Sequence, residues 1–395
     1  MRCIIRKKTV KRMAEFLMCV IMPLILSGCW DRIEVNDLAI VVATGLDKTE
    51  EGEIELSVQI VNPKSMGSKS EGGQGGGKQN TVEKTTGKTI FDARSKLQEK
   101  VSRKLFWGHN HIIFIGKKLA EEGIRKHLDF FSRHPFTRLR ASVFMTNEKP
   151  DELLKIEPDL ERSSAEVAKD LAMLKVGLSV TAKDLLDMLS GEKRGAALPM
   201  IQIEREPPNT EGLKIYGAAI FNNGKMTDQL DDKEVRGLLW IRDEIDTASV
   251  TINPEEGEEL ISFHIFDATS KLIPSIENGN WKIKIEIVSE DDIVENETKL
   301  DMMNPKIIEK LKEQLEKQIV ERVKLALEIV QKEMKVDVLG FEEAFHRHYP
   351  DEWRKANWEE VFPEIEVEVV SEVKIRRPGR STAPQGVPEN EVIGN

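Results

Sequence analysis

Few side chains in this sequence have types and spacings that could do chemistry, and the most distinctive is Cys29. It closes the run Leu26-Ser27-Gly28-Cys29, in which two small residues narrow the backbone before a thiol. A thiol is the side chain nucleophilic enough, as thiolate, to form a thioether near neutral pH. Four histidines fall into two pairs, His109 with His111 and His346 with His348. On a strand, a spacing of two places both rings on one face, and imidazoles are good zinc ligands. Each pair lies beside Trp, Phe or Tyr and lacks a Cys or carboxylate at ligand spacing, so ordinary surface or hydrogen-bonded histidines are expected. The acidic pairs Asp231-Asp232, Asp291-Asp292 and Glu342-Glu343 are expected on solvated faces. Gly72 to Gly77 followed by Lys78 has the glycine spacing of a phosphate loop, but Gln79 stands where Ser or Thr would hold magnesium. No Gly-x-Ser-x-Gly, His-Glu-x-x-His, Cys-x-x-Cys or dinucleotide fingerprint is present. No catalytic, metal or cofactor residue is therefore assigned, and the chain is read as a non-enzyme.

The context of Cys29 explains its chemistry. Arg2, Arg6, Lys7, Lys8, Lys11 and Arg12 precede an apolar run from Phe16 to Leu26, with Glu15 the one acidic residue between. This is the layout of an export signal. An apolar run of that length rises only ~16 Å as a helix, about half the hydrocarbon core, so a permanent span is disfavoured. Leu26-Ser27-Gly28-Cys29 resembles the lipobox of bacterial lipoproteins, in which the cysteine sulfur receives a diacylglyceryl group and a peptidase cuts before it. That resemblance makes 1–28 a removable leader and Cys29 the lipidation site. Two or three acyl chains anchor firmly where one binds only marginally. Cys3 and Cys19 lie in the leader, so the mature chain would keep a single cysteine and no internal disulfide.

Behind this hook stands a charged body. The chain has 395 residues, 39% hydrophobic and 32% charged, with a formal net charge of −11; without its basic leader it is more acidic still. Such length allows two or three domains, and the composition excludes a polytopic membrane protein. So acidic a body lacks the footprint needed for nucleic acid and is expected to be repelled by anionic lipid headgroups.

Periodicity supplies the elements that must be positioned. Leu38 to Ala43 runs apolar without alternation, the mark of a strand covered on both faces, and Ile54 to Ile60 alternates as a half-exposed strand. The glycine-rich stretch 64–88 is read as a flexible loop. Helices near Ile90–Lys104 and Leu119–Phe131 alternate with strands at His111–Ile115 and Arg140–Thr146, which suggests βαβ units around a mixed sheet. Helices near Ser163–Leu174 and Ala182–Leu189 lead to a strand at Leu198–Glu204, and Glu206-Pro207-Pro208-Asn209 marks a domain boundary. Beyond it come a strand Leu213–Phe221, a helix capped by Asp231, strands at Ser249–Ile252, Ser262–Leu272 and Trp281–Ile287, and a final strand Glu364–Ile375. Asn304-Pro305 opens a helix to the neighbourhood of Met334 whose stripe, Ile307, Leu311, Leu315, Ile319, Val323, Leu327, Val330 and Met334, is expected to cover a sheet. The fold class is α+β, a multi-domain protein with mixed and antiparallel sheets covered by helices, including one long helix in the C-terminal half. The predicted organisation is 1–28 leader; 29–205 N-terminal α/β region, as one unit or two subdomains; 212–377 C-terminal α+β domain with the helix at about 305–335; 378–395 disordered tail.

The stretch Cys29-Trp30-Asp31-Arg32-Ile33-Glu34, followed by Leu38 to Asp47, resembles the Ger(x)C spore germination lipoproteins, the C subunits of nutrient germinant receptors. Thr85-Thr86-Gly87 to Ala93, Gly108-His109-Asn110-His111 and Tyr216-Gly217-Ala218-Ala219-Ile220-Phe221 extend the likeness over nearly the whole mature chain. The resemblance implies an elongated body of about three domains. It implies a lipid anchor at Cys29 on the outer face of the cell membrane, in the spore its inner membrane. The partners it implies are the integral membrane A and B subunits, and the role is to trigger germination without catalysis. A solute-binding lipoprotein of a transporter is the alternative, requiring two similar lobes around a cleft; a cell-wall enzyme is a third class, for which no nucleophile or metal set is evident.

Overall fold

The computed structural model describes residues 34–61, 80–133, 138–190, 195–206, 210–254 and 259–377, with 16, 387–388 and 391–393. Cys29, the rest of the leader and most of stretch 64–88 lie outside them. The chain enters through a single 3-10 turn, Val35–Asp37. Strand β1 (Leu38–Lys48) pairs antiparallel with β2 (Ile54–Val61), and β3 (Asn80–Gly87) pairs antiparallel with β2 in turn. Residues 80–87 thus depart from the expected loop. Thr81, Val82, Thr85 and Thr86 are β-branched, and the unpaired edge of β2 gives them a ladder to join.

Helix α1 (Ile90–Lys100), capped by the Thr89 side chain on Asp92 N–H, leads to β4 (Lys104–Phe106) and β5 (Ile112–Gly116), both parallel to β1. The single helix expected over 119–131 is two, α2 (Lys117–Glu122) and α3 (Arg125–Arg133). Gly123, at φ +119°, takes a backbone conformation that a helix cannot continue. Strand β6 (Ser142–Thr146) then lies parallel to β5.

Helices α4 (Pro150–Lys155), α5 (Ser164–Leu174) and α6 (Ala182–Met188) precede β7 (Gly195–Glu206), which joins β6 in parallel at Met145–Met200. Strands β8 (Thr210–Asn222) and β9 (Lys225–Asp231) complete a nine-stranded mixed sheet of order β3-β2-β1-β5-β6-β7-β8-β9, with β4 beside β1. The proline-rich point at 206–209 therefore falls between two strands that pair from Gly195–Asn222 to Glu206–Thr210.

Helix α7 (Asp232–Ile241), closed by a capping box between Asp231 and Glu234, leads into the second sheet. This sheet is β10 (Ala248–Ile252), β11 (Ile261–Glu277), β12 (Asn280–Asn296) and, much later, β13 (Glu366–Arg377), in that spatial order. The 17-residue strands β11 and β12 form one long hairpin. Helix α8 (Pro305–Leu327) starts where predicted, with the Asn304 side chain accepting from Lys306 N–H, and widens into a π turn over Glu328–Met334. Leu311, Leu315, Ile319, Val323, Leu327 and Val330 of its stripe are buried in the core shared with the second sheet. At about 1.5–3 kcal/mol for each apolar side chain removed from water, that stripe contributes on the order of 10 kcal/mol before ordering costs. It is core, so the stripe is not available to a partner. Short helices α9 (Phe341–His348), α10 (Pro350–Lys355) and α11 (Trp358–Val361) surround an aromatic cluster of Trp281, Phe345 and Trp358.

Two polar details pin these elements. The buried Gln331 amide of the π turn donates at 2.9 Å to both Phe362 O and Ile365 O, just before β13. Gln331→Leu leaves both carbonyls without that donor and is expected to lower stability by about 2 kcal/mol, read as a shifted denaturation midpoint with unchanged slope. Near the C-terminus, Ile393 N–H donates to Lys299 O at 2.7 Å, Asp301 N–H donates to Ile393 O at 3.0 Å, and Glu391 pairs with Lys299 at 2.7 Å. The described part of the expected disordered tail thus meets residues 299–301, because that stretch presents backbone groups no sheet neighbour has used.

Candidate interaction surfaces

The two histidine pairs do not come together as a metal site. His109 and His111 stack edge to face at 6.1 Å, with Phe106 against His109 at 5.8 Å. Arg138 Nη1 lies 3.2 Å from His111 Nδ1. Burial, then the charges of Arg138, Lys169 and His109, holds the His111 pKa below its usual value, so this ring faces cations. His346 and His348 sit on a helix rather than a strand, where a spacing of two turns them apart. His346 lies against Trp353 at 4.1 Å and His348 Nδ1 reaches Ala344 O at 2.9 Å. Among the described residues no group of three His, Cys, Asp or Glu is placed to hold a metal.

The acidic pairs divide by role. Asp231 is a helix cap and Asp232 pairs with Arg236 along α7. Asp291 departs from the solvated face expected of it. Period-two burial along β12 turns Ile283, Ile285, Ile287, Ser289, Asp291 and Ile293 inward, and the Asp291 carboxylate accepts from Ser289 Oγ at 2.7 Å. Burial raises its pKa to about 6, and Asp292 and Glu290 add to the rise while Ser289 opposes it.

The opposite, outer face of β12 and β13 carries a ladder of complementary charge. Lys282 opposes Glu366, Lys284 opposes Glu368 and Glu290 opposes Lys374 in the parallel register. Lys282 pairs with Glu366 at 3.3 Å, Lys284 with Glu286 at 2.7 Å, and Arg376 with Glu290 while lying over the Phe266 ring at 5.0 Å. Cross-strand pairs of this kind contribute a few tenths of a kcal/mol each and keep an exposed face soluble.

A second surface lies where the two sheets meet. At Gly195, the first residue of β7, an added Cβ would sit 2.1 Å from the backbone O of Asp337. Clefts of about 650 and 820 Å³ open near this contact, and Gly195, Asp337 and Glu342 line both. The Asp337 carboxylate accepts from the backbone N–H of Leu339, Gly340 and Glu342 and from Trp358 Nε1. Burial pushes its pKa up, opposed by those donors. In the 650 Å³ cleft, Arg242 is held by Glu244 at 2.7 Å, and Asp243 Oδ1 accepts from Ser270 N–H at 2.6 Å. Arg242 and Glu244 are thus spent on one another, and Asp243 on a backbone N–H. The two units flanking the clefts differ in strand number and topology, so among the described residues they do not form the similar lobes that a solute-binding protein requires. No sequence signal marked this seam, since Gly195 and Asp337 are remote in the chain.

Two family descriptions match the chain in order. Residues 31–203 match "Spore germination protein N-terminal domain" and 216–379 match "Spore germination B3/ GerAC like, C-terminal". The chain belongs to the GerAC family of spore germination proteins. Among its relatives, spore germination protein KC of Bacillus subtilis is 26% identical over 95% of this chain and 98% of its own length. Spore germination protein B3 of the same organism is 25% identical, covering 90% and 96%. A crystal structure of the GerBC protein superposes with a TM-score of 0.53 at 18% identity, over 84% of this chain and 96% of that one. The family fold thus agrees with the α+β architecture and long helix described above.

Proposed function

We propose that this protein is the lipid-anchored, non-catalytic C subunit of a spore nutrient germinant receptor. It is held by Cys29 on the outer face of the spore's inner membrane and works beside integral membrane A and B subunits to trigger germination. The observation that carries this reading is the ordered match of both family domains, 31–203 and 216–379. The lipobox at Cys29 supports the anchor, and no helix among the described residues is long and apolar enough to cross a membrane. The division at 206–212 into N-terminal and C-terminal units is part of the same proposal as a boundary between family domains, with β8 and β9 remaining in the first sheet. The broad charged face of β12 and β13 and the seam clefts are the surfaces suited to receptor partners.

Two measurements test it. Labelled fatty acid is expected on the wild-type chain and absent from Cys29→Ala, whose spores lose membrane-retained protein and respond to nutrient many times more slowly. Affinity capture from spore membranes is expected to return integral membrane companions. A Cys29→Ala strain that germinates normally with the protein retained would overturn the anchor, and normal germination of a deletion strain to every nutrient would overturn the role.

A further inference from the structure

The strands β1, β4, β5 and β6 are parallel, so the segments that enter them all lie at one end of the nine-stranded sheet. Leu38 pairs with Lys104; His111 N–H donates to Val42 O at 2.9 Å, and Ser142 N–H to His111 O at 2.8 Å. Arg103, Lys104, Arg138 and Arg140 stand on these entering segments. Among the described residues none of the four has a carboxylate within ion-pair distance, and Glu34 and Asp37, which precede β1, do not reach them. At the opposite end of the same strands, by contrast, Lys48 is held by Glu122 and Lys118 by Glu50. Between Arg138 and Arg140, Leu139 is 39% exposed, and Val35 ahead of β1 is 61% exposed. Basic residues interspersed with exposed apolar ones are the composition of a membrane-interface surface.

We infer that this end of the sheet is a membrane-facing surface that binds anionic phospholipid headgroups through Arg103, Lys104, Arg138 and Arg140. The inference rests on the anchoring of Cys29. The peptide units from Cys29 to Glu34 span at most about 18 Å when extended, so the tether brings this end of the body, and no other, down to the bilayer. Attraction between lipid phosphates and exposed cations fades within a Debye length of about 8 Å. Each cation near such a surface contributes about 1 kcal/mol. A body whose net charge is negative therefore meets the membrane with a local patch of the opposite sign. Local attraction at this patch opposes the repulsion expected from net charge alone.

The test uses the acylated full-length mature chain in phosphatidylcholine vesicles, with and without phosphatidylglycerol at about one third of the lipid. Co-flotation with the neutral vesicles reads the anchor by itself. Amine-reactive labelling of Lys104 and amide exchange over 103–111 and 138–142 read the surface. Labelling of Lys104 is expected to slow about tenfold in anionic vesicles relative to neutral ones, with the difference abolished at 1 M salt. It should be abolished too in Arg138→Ser/Arg140→Ser, and in the variant that also carries Arg103→Ser. Equal protection in neutral and anionic vesicles overturns the inference even if the anchor holds. Failure to float on neutral vesicles with retained binding to anionic ones sinks the anchor and leaves the surface standing.

Discussion

Gly237→Leu is expected to destabilise the protein by about 3 kcal/mol or more, and Gly237→Ala by about 1–2 kcal/mol, through overpacking between two helices. Gly237 lies in α7 on the side turned to α8. An added Cβ there would sit 2.2 Å from the Arg322 carbonyl oxygen and 2.7 Å from the Ala326 Cβ. The first obstacle is backbone, which cannot rotate away, so the helices must separate. Separation would open the core around Leu238, Trp240, Val323 and Ala326, all buried in one cluster. Helix propensity pulls the other way, since alanine is better than glycine inside a helix by about 1 kcal/mol. If Gly237 faced water, Gly237→Ala would therefore raise the denaturation midpoint. A rise would show that the close approach does not exist; a fall that deepens from Ala to Leu is the expected series. Because α7 connects β9 of the first sheet to β10 of the second, the larger variant is also expected to split unfolding into two transitions.

The long elements were legible because their signals are local and repeated. The stripe from Leu311 to Val330 and the alternation from Ile283 to Ile287 repeat over several turns or pleats, and burial follows them. Strand β3 was hidden because its eight residues adjoin a glycine run whose composition dominates any window that includes it. Extending the β12 alternation past Ile287 would have placed Asp291 inward, but the adjacent Asp292 made the pair look solvated. Charge is a sum over the chain, and a net value of −11 conceals a basic end assembled from residues about 35 positions apart in sequence. Such a patch exists only once parallel pairing brings β4 and β6 to the same end. Gly195 and Asp337 meet only where the unit of the second sheet packs on the start of β7. Sequence patterns show which face of an element is buried, whereas surfaces made by several elements depend on topology.

Asp291→Asn is expected to stabilise the protein by as much as about 3 kcal/mol at pH 7.5, and by nothing below about pH 4. Asp291 is fully buried, and its neighbour Ser289 pairs with Val373, whose N–H donates to Glu316 of α8 at 3.0 Å. Burial raises the folded-state pKa from 3.8 to about 6. Below pH 3.8 the carboxyl is protonated whether the chain is folded or not, and it adds no pH dependence. As pH climbs from there to about 6, the unfolded chain ionises while the folded one still holds its proton, so stability falls. Above about 6 both forms are ionised and the penalty is complete, at about 1.4 kcal/mol for each unit of difference. Asparagine keeps the size and an oxygen that can accept from Ser289, and it does not ionise. Denaturation midpoints of the two proteins should therefore coincide at pH 4, separate between 4 and 6, and run parallel above about 7. A stability difference that stayed constant across this range would mean that Asp291 does not titrate with a raised pKa and that its cost in the folded state is steric or unpaired hydrogen bonding instead.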